Sequence, residues 1–481
     1  MISKIFLLQL FVLAVQSRRL IETTAPIKIV TSTSNITDFK TRVGISTLNY
    51  ADSDARRSPG FIPFADVMKD MNPGMLRFPG GIEASSYLWA TAPTWEPESH
   101  APVFKTKNRW PNSISSIVDD NNTFVNVMNF DEFMTIANNV QAEVSIVINF
   151  ESMYTTDGPS KEMLIETAVQ MIRYCKRMNY TNVKYWEIGN ESDMVSSYNG
   201  RPPNATVYAH DAYDFIEAMK IENPDILVGI NGAHEEFILE TLNIVGEYIN
   251  FLIVHQYPVW NFDNGYKNFT DGNGDFYRNY TVHMNALGNS TISQKKKDEL
   301  FVLVTETSVI DWDTEGGWSG NDVGHALALF EVIGKLMKKD RIKNTMIWTS
   351  HWVDPPNNRT EIYNLLNETN GYNAIAYGMI PWSTLGDVRL MNVSFTSNKI
   401  SVYLVENKNG TSILLMNKMK YEISIDIDIV QENPISSVYV FHGESDTSKT
   451  FITTKIEQKI PTVLLPLSIT VVRMDGGDLS V

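Results

Sequence analysis

Glu143-Val144-Ser145-Ile146-Val147-Ile148-Asn149, then the stretch from Lys161 to Met178, then Val183-Lys184-Tyr185-Trp186-Glu187-Ile188: this is the segment that decides the fold. The two outer pieces are short and rich in β-formers, and the first is a nearly continuous apolar run, as expected of a strand covered on both faces. The piece between them has the apolar spacing of an amphipathic helix. Strand, helix, strand in that order make a parallel unit. The alternation continues in both directions. Upstream lie strand candidates Arg42 to Thr47 and Met75 to Phe78, and downstream Ile226 to Ile230, Phe251 to Val254, Phe301 to Thr305 and Thr345 to Thr349. Further helical segments run from Phe130 to Asn139, Val207 to Glu222, Glu235 to Tyr248 and Asp322 to Lys338. Eight such strands predict an α/β fold of the (β/α)8 TIM barrel kind over residues 41–385. A doubly wound open sheet is the rival, but it usually carries a Gly-rich phosphate turn after its first strand, and none is found here.

After about Asp387 the texture changes. Ile400 to Val405, Thr411 to Met416, Ile423 to Ile429, Ser437 to Phe441 and Ile469 to Met474 are short, β-branched and separated by Asn, Gly or Pro. They predict a C-terminal antiparallel β-sandwich over 386–481, with 26–40 returning a strand to it at Ile27 to Ser32. No low-complexity linker separates the two parts, so they are expected to pack tightly.

The N-terminus reads as an export signal over residues 1–17: Lys4, an apolar run from Ile5 to Val15 too short to span a bilayer, and Val15-Gln16-Ser17 for cleavage. No later segment has the length and apolarity of a membrane span. A secreted protein, or one in a lysosome-like compartment, is expected. Sequons at Asn35, Asn204, Asn268, Asn279, Asn289, Asn358, Asn367 and Asn392 would then place N-glycans on surface loops. The single cysteine, Cys175, forbids an internal disulfide and lies within a helical pattern, so a buried structural thiol is expected. Net charge is −16, from 40 basic and 56 acidic residues, which disfavours nucleic acid and other polyanions as partners. The Lys295-Lys296-Lys297 run reads as a solvated helix end.

Active sites of such barrels sit at the C-terminal ends of the strands. Here those ends are Leu76-Arg77-Phe78-Pro79-Gly80-Gly81, Asn149, Glu187-Ile188-Gly189-Asn190-Glu191, His255-Gln256-Tyr257, Thr305-Glu306-Thr307 and Trp348. Glu191 and Glu306, on the fourth and seventh strands, would face one another across the mouth. Glycoside hydrolysis needs such a pair, one to protonate the leaving oxygen and one to attack or guide water at the anomeric carbon.

Tyr185-Trp186-Glu187-Ile188-Gly189-Asn190-Glu191 resembles the strand-four signature of clan A glycoside hydrolases, and Val304-Thr305-Glu306-Thr307 their strand-seven nucleophile. Leu76 to Gly81 and His255-Gln256-Tyr257 are similar to elements of the family 51 α-L-arabinofuranosidases and related barrel-plus-sandwich families, the β-glucuronidase and heparanase-like ones among them. The resemblance implies Glu191 as acid/base, Glu306 as nucleophile, and Asn190 on a sugar 2-hydroxyl. It implies that Arg77 keeps Glu306 ionised, that Tyr257 donates to the same carboxylate, and that His255 contacts the acid/base or substrate. Asn149 would bind a hydroxyl and Trp348 would form a sugar platform. For Trp348 the alternative reading is a barrel-core aromatic, and for His255 a satisfied structural histidine. The stretch Gly44-Ile45-Ser46-Thr47-Leu48-Asn49 departs from the arabinofuranosidase pattern, which usually carries a sugar-binding glutamate near strand one.

Other signatures fail. Asp271-Gly272-Asn273-Gly274-Asp275 starts like a calcium loop, but Phe276 and Val282 stand where it needs Gly and Glu. The expectation is therefore a retaining glycoside hydrolase, without cofactor or metal, acting on an oligosaccharide or polysaccharide. The carboxyl groups of a retaining pair should stand about 5–5.5 Å apart. An endo-acting glycanase is one alternative; a catalytically silent sugar-binding protein on the same fold is another. Trp89, Trp95 and Trp110 on the second loop could line a cleft.

Overall fold

The computed structural model describes residues 25–37, 39–85, 87–97, 125–155, 158–194, 202–258, 264–310, 318, 320–352, 364–429, 434–456 and 459–474. The export-signal segment, Asn358 and Trp110 lie outside these. Strand β1 (Ile27–Asn35) precedes the barrel. Strands β2 (Arg42–Ser46), β3 (Met75–Phe78), β4 (Glu143–Ile148), β5 (Val183–Ile188), β6 (Leu227–Ile230), β7 (Phe251–His255), β8 (Phe301–Thr307) and β9 (Ile342–Ile347) then pair in parallel and close in sequence order. The (β/α)8 barrel is thus present.

The wall is made by helices α1 (Phe64–Met71), α2 (Phe130–Asn139), α3 (Lys161–Arg177), α4 (Ala205–Glu222), α5 (Glu235–Val245), α6 (Gly265–Thr270), α7 (Arg278–Asn289), α8 (Gln294–Glu299), α9 (Val323–Met337) and α10 (Ala376–Ser383). Local chemistry starts them where the sequence offers a cap. Asn129 and Glu132 form a reciprocal capping box on α2, and Ser160, Asn204 and Asp322 accept from the first turns of α3, α4 and α9. Cys175, on α3, is buried, and burial pushes its thiol pKa up, so it is inert packing.

Period-two alternation fills the barrel. Met75, Tyr185, Phe251, Phe301, Leu303 and Met346 form an apolar cluster, and two residues further along β3 and β5 come Arg77 and Glu187, paired inside. The last strand begins at Ile342, earlier than the Thr345 expected, because Lys343 and Asn344 interrupt the apolar run without interrupting the ladder. Lys343 lies over the Phe301 ring at 3.8 Å.

Strands β10 (Arg389–Phe395) to β17 (Ser468–Met474) follow: β11 Ile400–Asn407, β12 Gly410–Asn417, β13 Ile423–Asp428, β14 Ile435–His442, β15 Ile452–Ile456 and β16 Val463–Leu464. They form one continuous nine-stranded sheet in the order β15-β14-β17-β12-β11-β10-β1-β13-β16. The expected C-terminal β-sandwich is thus present as a curled sheet whose hydrogen bonding is unbroken, and β1 returns to it between β10 and β13, in parallel register with the latter. The sheet encloses its own core of Ile29, Ile413, Leu415, Val438, Leu464 and Val472. Helix α9 is buried along 14 of its 15 residues because it lies between barrel and sheet. Among the described residues no helix is long and apolar enough to cross a membrane.

Candidate active site

The C-terminal rim of the barrel surrounds a cavity of about 680 Å³. Glu191, Glu306, His255, Tyr257, Asn190 and Trp348 line it, six of the eight residues singled out from sequence. Their convergence depends on local backbone devices. Along β8, Leu303 faces the barrel interior, so strict alternation would turn Glu306 outward. A bulge prevents this: Val254 pairs with Val304 but His255 with Glu306, so Thr305 is an extra residue and Glu306 is aimed into the mouth. After β5 the chain turns through Gly189 at φ 77°, where a Cβ would collide with Glu151 Oε1. Glu191 follows at φ 51°, a left-handed conformation unfavourable for a glutamate and typical of strain held at functional sites.

A buried scaffold fixes this turn. Glu151 accepts from the Asn190 amide at 2.7 Å, from Ser192 Oγ at 2.6 Å and from Ser85 Oγ at 2.8 Å. Asn231 accepts from the Ser192 amide at 2.7 Å and donates to the Ile188 carbonyl at 2.7 Å. Asp193 accepts from the amides of Ala233 and His234, bracing the opposite wall.

Donor atoms of Glu191, His255 and Glu306 all lie within 4.8 Å of one another, so a carboxylate oxygen of each glutamate is that close to the other. This is the spacing of a retaining pair and well short of the roughly 6.5–9.5 Å of an inverting one. Glu306 accepts from Arg77 Nη1 at 2.7 Å and from Tyr257 Oη at 2.9 Å. His255 Nδ1 lies 2.9 Å from Glu191 and 3.4 Å from Glu306. A small cation could find this spacing, but Arg77 and Tyr257 already hold both oxygens of Glu306.

Three titrating groups thus share one pocket. Burial raises the Glu306 pKa, and Glu191 adds to that, against the pull of His255 and Arg77. Burial, the largest influence, works to raise Glu191 too, but the hydrogen bond and charge of His255 together with the charge of Arg77 outweigh it and the value falls. For His255, burial works to lower the pKa, yet Glu306 and Glu191 prevail and raise it. Glu191 and His255 therefore titrate as a pair and not as two independent groups.

Two of the eight residues are placed otherwise. Arg77 is fully buried and sits beneath the cavity, where it bonds Glu187 at 3.0 Å, Glu306 at 2.7 Å and Asn190 Oδ1 at 2.7 Å. It positions its neighbours and is not among the residues that line the cavity. Asn149 donates to the Tyr87 carbonyl and accepts from Ser152, and it faces a small separate cavity behind Pro79. Its amide belongs to loop packing because the chain turns immediately into a short 3-10 helix at Glu151.

Asn279 is a sequon asparagine that was expected on a surface loop. It lines the cavity instead, and its amide donates to the His255 carbonyl at 2.6 Å. Trp89 is buried, donates to the Thr167 carbonyl and stacks on Trp95 away from the cavity, so these two aromatics pin the loop. Sequence reasoning missed Glu83, Asn231 and Trp352 as lining residues. Glu83 had a signal: it follows the Gly80-Gly81 strand end by two residues.

A closed parallel barrel with a carboxylate pair at the ends of its fourth and seventh strands, backed by a β-sheet domain, defines a glycoside hydrolase. Residues 67–275 match the family model of the alpha-L-arabinofuranosidase 1 domain. No curated protein sequence matches the chain. Among solved structures it is similar to a family 51 alpha-L-arabinofuranosidase from Bifidobacterium longum, at 13% identity and TM-score 0.68 over 94% of this chain and 100% of that one. It is also similar to an alpha-L-arabinofuranosidase from Thermotoga maritima, at 16% identity and TM-score 0.64 over 93% and 99%. A GH30 endoxylanase from Clostridium papyrosolvens superposes at 11% identity and TM-score 0.57 over 94% and 100%. The chain thus resembles clan A glycoside hydrolases in its family-model match and throughout its fold.

Proposed function

We propose that this protein is an exported, retaining glycosidase that works by double displacement, with Glu306 as nucleophile and Glu191 as acid/base. The closeness of the two carboxylates, within 4.8 Å by their oxygens, is the observation that carries the reading. Glu306 attacks the anomeric carbon while the Glu191–His255 pair delivers its proton to the leaving oxygen, and a glycosyl ester forms. Glu191 then takes a proton from water, which attacks the anomeric carbon of the ester, breaks its bond to the Glu306 oxygen and frees Glu306. Arg77 and Tyr257 hold the Glu306 carboxylate in place for attack. With its Oδ1 engaged by Arg77, Asn190 offers its amide nitrogen to a substrate hydroxyl.

The family-model match supports α-L-arabinofuranosides as the first substrates to test, on plant, algal or other extracellular glycans. Exposed sequons at Asn35, Asn204, Asn289 and Asn392 support passage through an exporting compartment, with glycans there and not at Asn279.

Fluorogenic arabinofuranosides, xylosides and intact polysaccharides test this on wild type and Glu306→Gln together. Turnover with retained anomeric configuration, read by NMR, is expected, falling by roughly 10⁴-fold or more in the variant. Inverted product would overturn the double displacement. Cleavage of polymers alone would move the reading to an endo-glycanase, and sugar binding without turnover to a silent binder.

A further inference from the structure

Glu191 stands in a conformation that residues with a side chain avoid. Its φ of 51° lies in the left-handed region, and such strain persists only where the surroundings over-determine it. On one side of it the Asn190 amide donates at 2.7 Å to Oε1 of Glu151, and on the other the Ser192 hydroxyl donates at 2.6 Å to the same oxygen. That oxygen straddles Glu191. The second oxygen, Oε2, accepts at 2.8 Å from Ser85, in the 3-10 turn Ile82–Ser85. One carboxylate therefore ties together the chain beyond three successive barrel strands, β3, β4 and β5.

The fit leaves little slack. Glu151 is fully buried and opens the 3-10 turn Glu151–Tyr154 that follows β4. A Cβ on Gly189 would come within 1.9 Å of Oε1, so the carboxylate lies against bare backbone where the turn begins. Asn190 is buried as well, and without Glu151 its amide loses its acceptor. A buried donor left unpaired is costly, so the turn would relax toward ordinary backbone angles. That relaxation would draw the Glu191 carboxyl away from His255 Nδ1, 2.9 Å off, and from the leaving oxygen it serves. Glu306 has supports of its own in Arg77 and Tyr257.

Resting on the glycosidase reading, we propose that Glu151 is the positioning residue of the acid/base: it governs proton delivery to the leaving group through Glu191, and not attack by Glu306. A residue that merely held the fold would weaken both steps alike.

The leaving group separates the two cases. A 2,4-dinitrophenolate departs as a stable anion without a proton, whereas methanol must be protonated as it leaves. The measurement is kcat/KM, which reports steps only up to the glycosyl ester. The probes are 2,4-dinitrophenyl and methyl α-L-arabinofuranosides, with the matching β-D-xylosides beside them. Glu151→Leu should lower kcat/KM by about 100-fold on the methyl glycoside, as a misplacement of about 1 Å would, and by no more than about threefold on the dinitrophenyl one. Glu151→Gln keeps an acceptor for Asn190 and Ser192 and can donate to Ser85, so it should stay within about tenfold of wild type on both. Ser192→Ala removes one of the two bonds that straddle Glu191. It should lose about three- to tenfold on the methyl glycoside alone, and it replaces Glu151→Leu if that variant does not fold.

The His255 imidazole supplies a readout that needs no turnover. Burial works to lower its pKa, but Glu306 and Glu191 raise it above 6.5. Its titration midpoint, followed by NMR, should fall in Glu151→Leu and in Ser192→Ala as Glu191 withdraws. Equal losses on the two glycosides, full activity on both, or an unchanged midpoint would overturn the positioning role. No turnover by wild type of any glycoside, with the midpoint still lowered in the variants, would overturn the glycosidase reading alone.

Discussion

Two buried charge clusters serve different parts of this molecule. Under the barrel mouth, Arg77 stands between Glu187 and Glu306, with Glu191 and His255 beside them. Between the barrel and the β-sheet domain, Glu331 on α9 meets Lys418, just after β12, at 2.5 Å and Lys335 at 3.3 Å. The first has more carboxylates than fixed cations and opens on a cavity, so protons set its charge. The second has two lysines to one carboxylate and is closed over by aromatics: Tyr266 donates to the Lys418 carbonyl at 2.6 Å and Tyr403 to that of Glu331 at 3.4 Å. Buried ion pairs rarely add net stability over apolar packing, so each cluster calls for another explanation. For the mouth it is chemistry; for the interface it is a fixed register between two domains.

The sharpest way to break this contrast is Arg77→Met. It leaves Glu187 fully buried and uncompensated, at a cost of about 3–5 kcal/mol in unfolding free energy. It also frees Glu306 and Asn190 from their anchor, and kcat should fall by roughly 10²–10³-fold. Arg77→Lys should recover little of either, because one ammonium cannot reproduce three bonds from a planar fork. Denaturant titration and steady-state kinetics read both effects. An Arg77→Met protein as stable as wild type would show that the mouth cluster is not held by its cation.

His255→Gln comes next and sharpens the claim that protons set the charge of the mouth. Under the proposed double displacement, activity needs an ionised Glu306 and a proton on the Glu191–His255 pair. Burial lifts Glu306 above the ordinary carboxylate value of 4.5, which places the acid limb above that value. Burial pulls His255 down, but Glu306 and Glu191 lift it above 6.5, which places the basic limb higher still. Removing the imidazole takes a lowering influence from Glu306, so the acid limb moves up. It also leaves Glu191 to hold its proton alone, so the basic limb moves down. The pH profile of kcat/KM should narrow from both sides, with its peak lower by roughly 10–100-fold. A profile of unchanged width would mean that His255 acts only as a spacer.

The barrel was legible because parallel strands covered on both faces announce themselves as apolar runs, and α3 between β4 and β5 shows its helical spacing plainly. Glu191 and Glu306 were legible because strand ends are where barrels put chemistry. What escaped depends on three dimensions. The bulge at Thr305 is invisible in a string, though without it Glu306 would face outward. Asn149 and Asn190 look alike at two strand ends; only the turn into Glu151 sends one into loop packing and the other into the cavity. Glu83 sits in a short turn with no periodicity, and Asn279 is hidden inside a sequon. The run from Gly265 to Glu299 is too rich in Asn and Lys to show the three helices it forms.

Lys418→Met is the smallest perturbation and tests the other half of the contrast. Burial, the largest influence on Glu331, works to raise its pKa, but Lys418 and Lys335 together outweigh it and hold the carboxyl below the ordinary value of 4.5. A depressed folded pKa means stabilisation that is present above the unfolded pKa and lost as pH falls through the folded one. In wild type this loss belongs to acid conditions below about pH 5. The variant keeps Lys335, so the cost at neutral pH should be about 1–3 kcal/mol, less than for a fully broken pair. Because less of the pairing is left to lose, the gap between variant and wild type should close on acidification, seen in thermal unfolding at pH 7 and pH 4. Unlike Arg77→Met, it should leave kcat/KM within about twofold of wild type, since Glu331 lies outside the cavity and touches none of its lining groups. A fall in kcat/KM together with stability would mean that α9 transmits the domain interface to the mouth, and the two clusters would have to be treated as one.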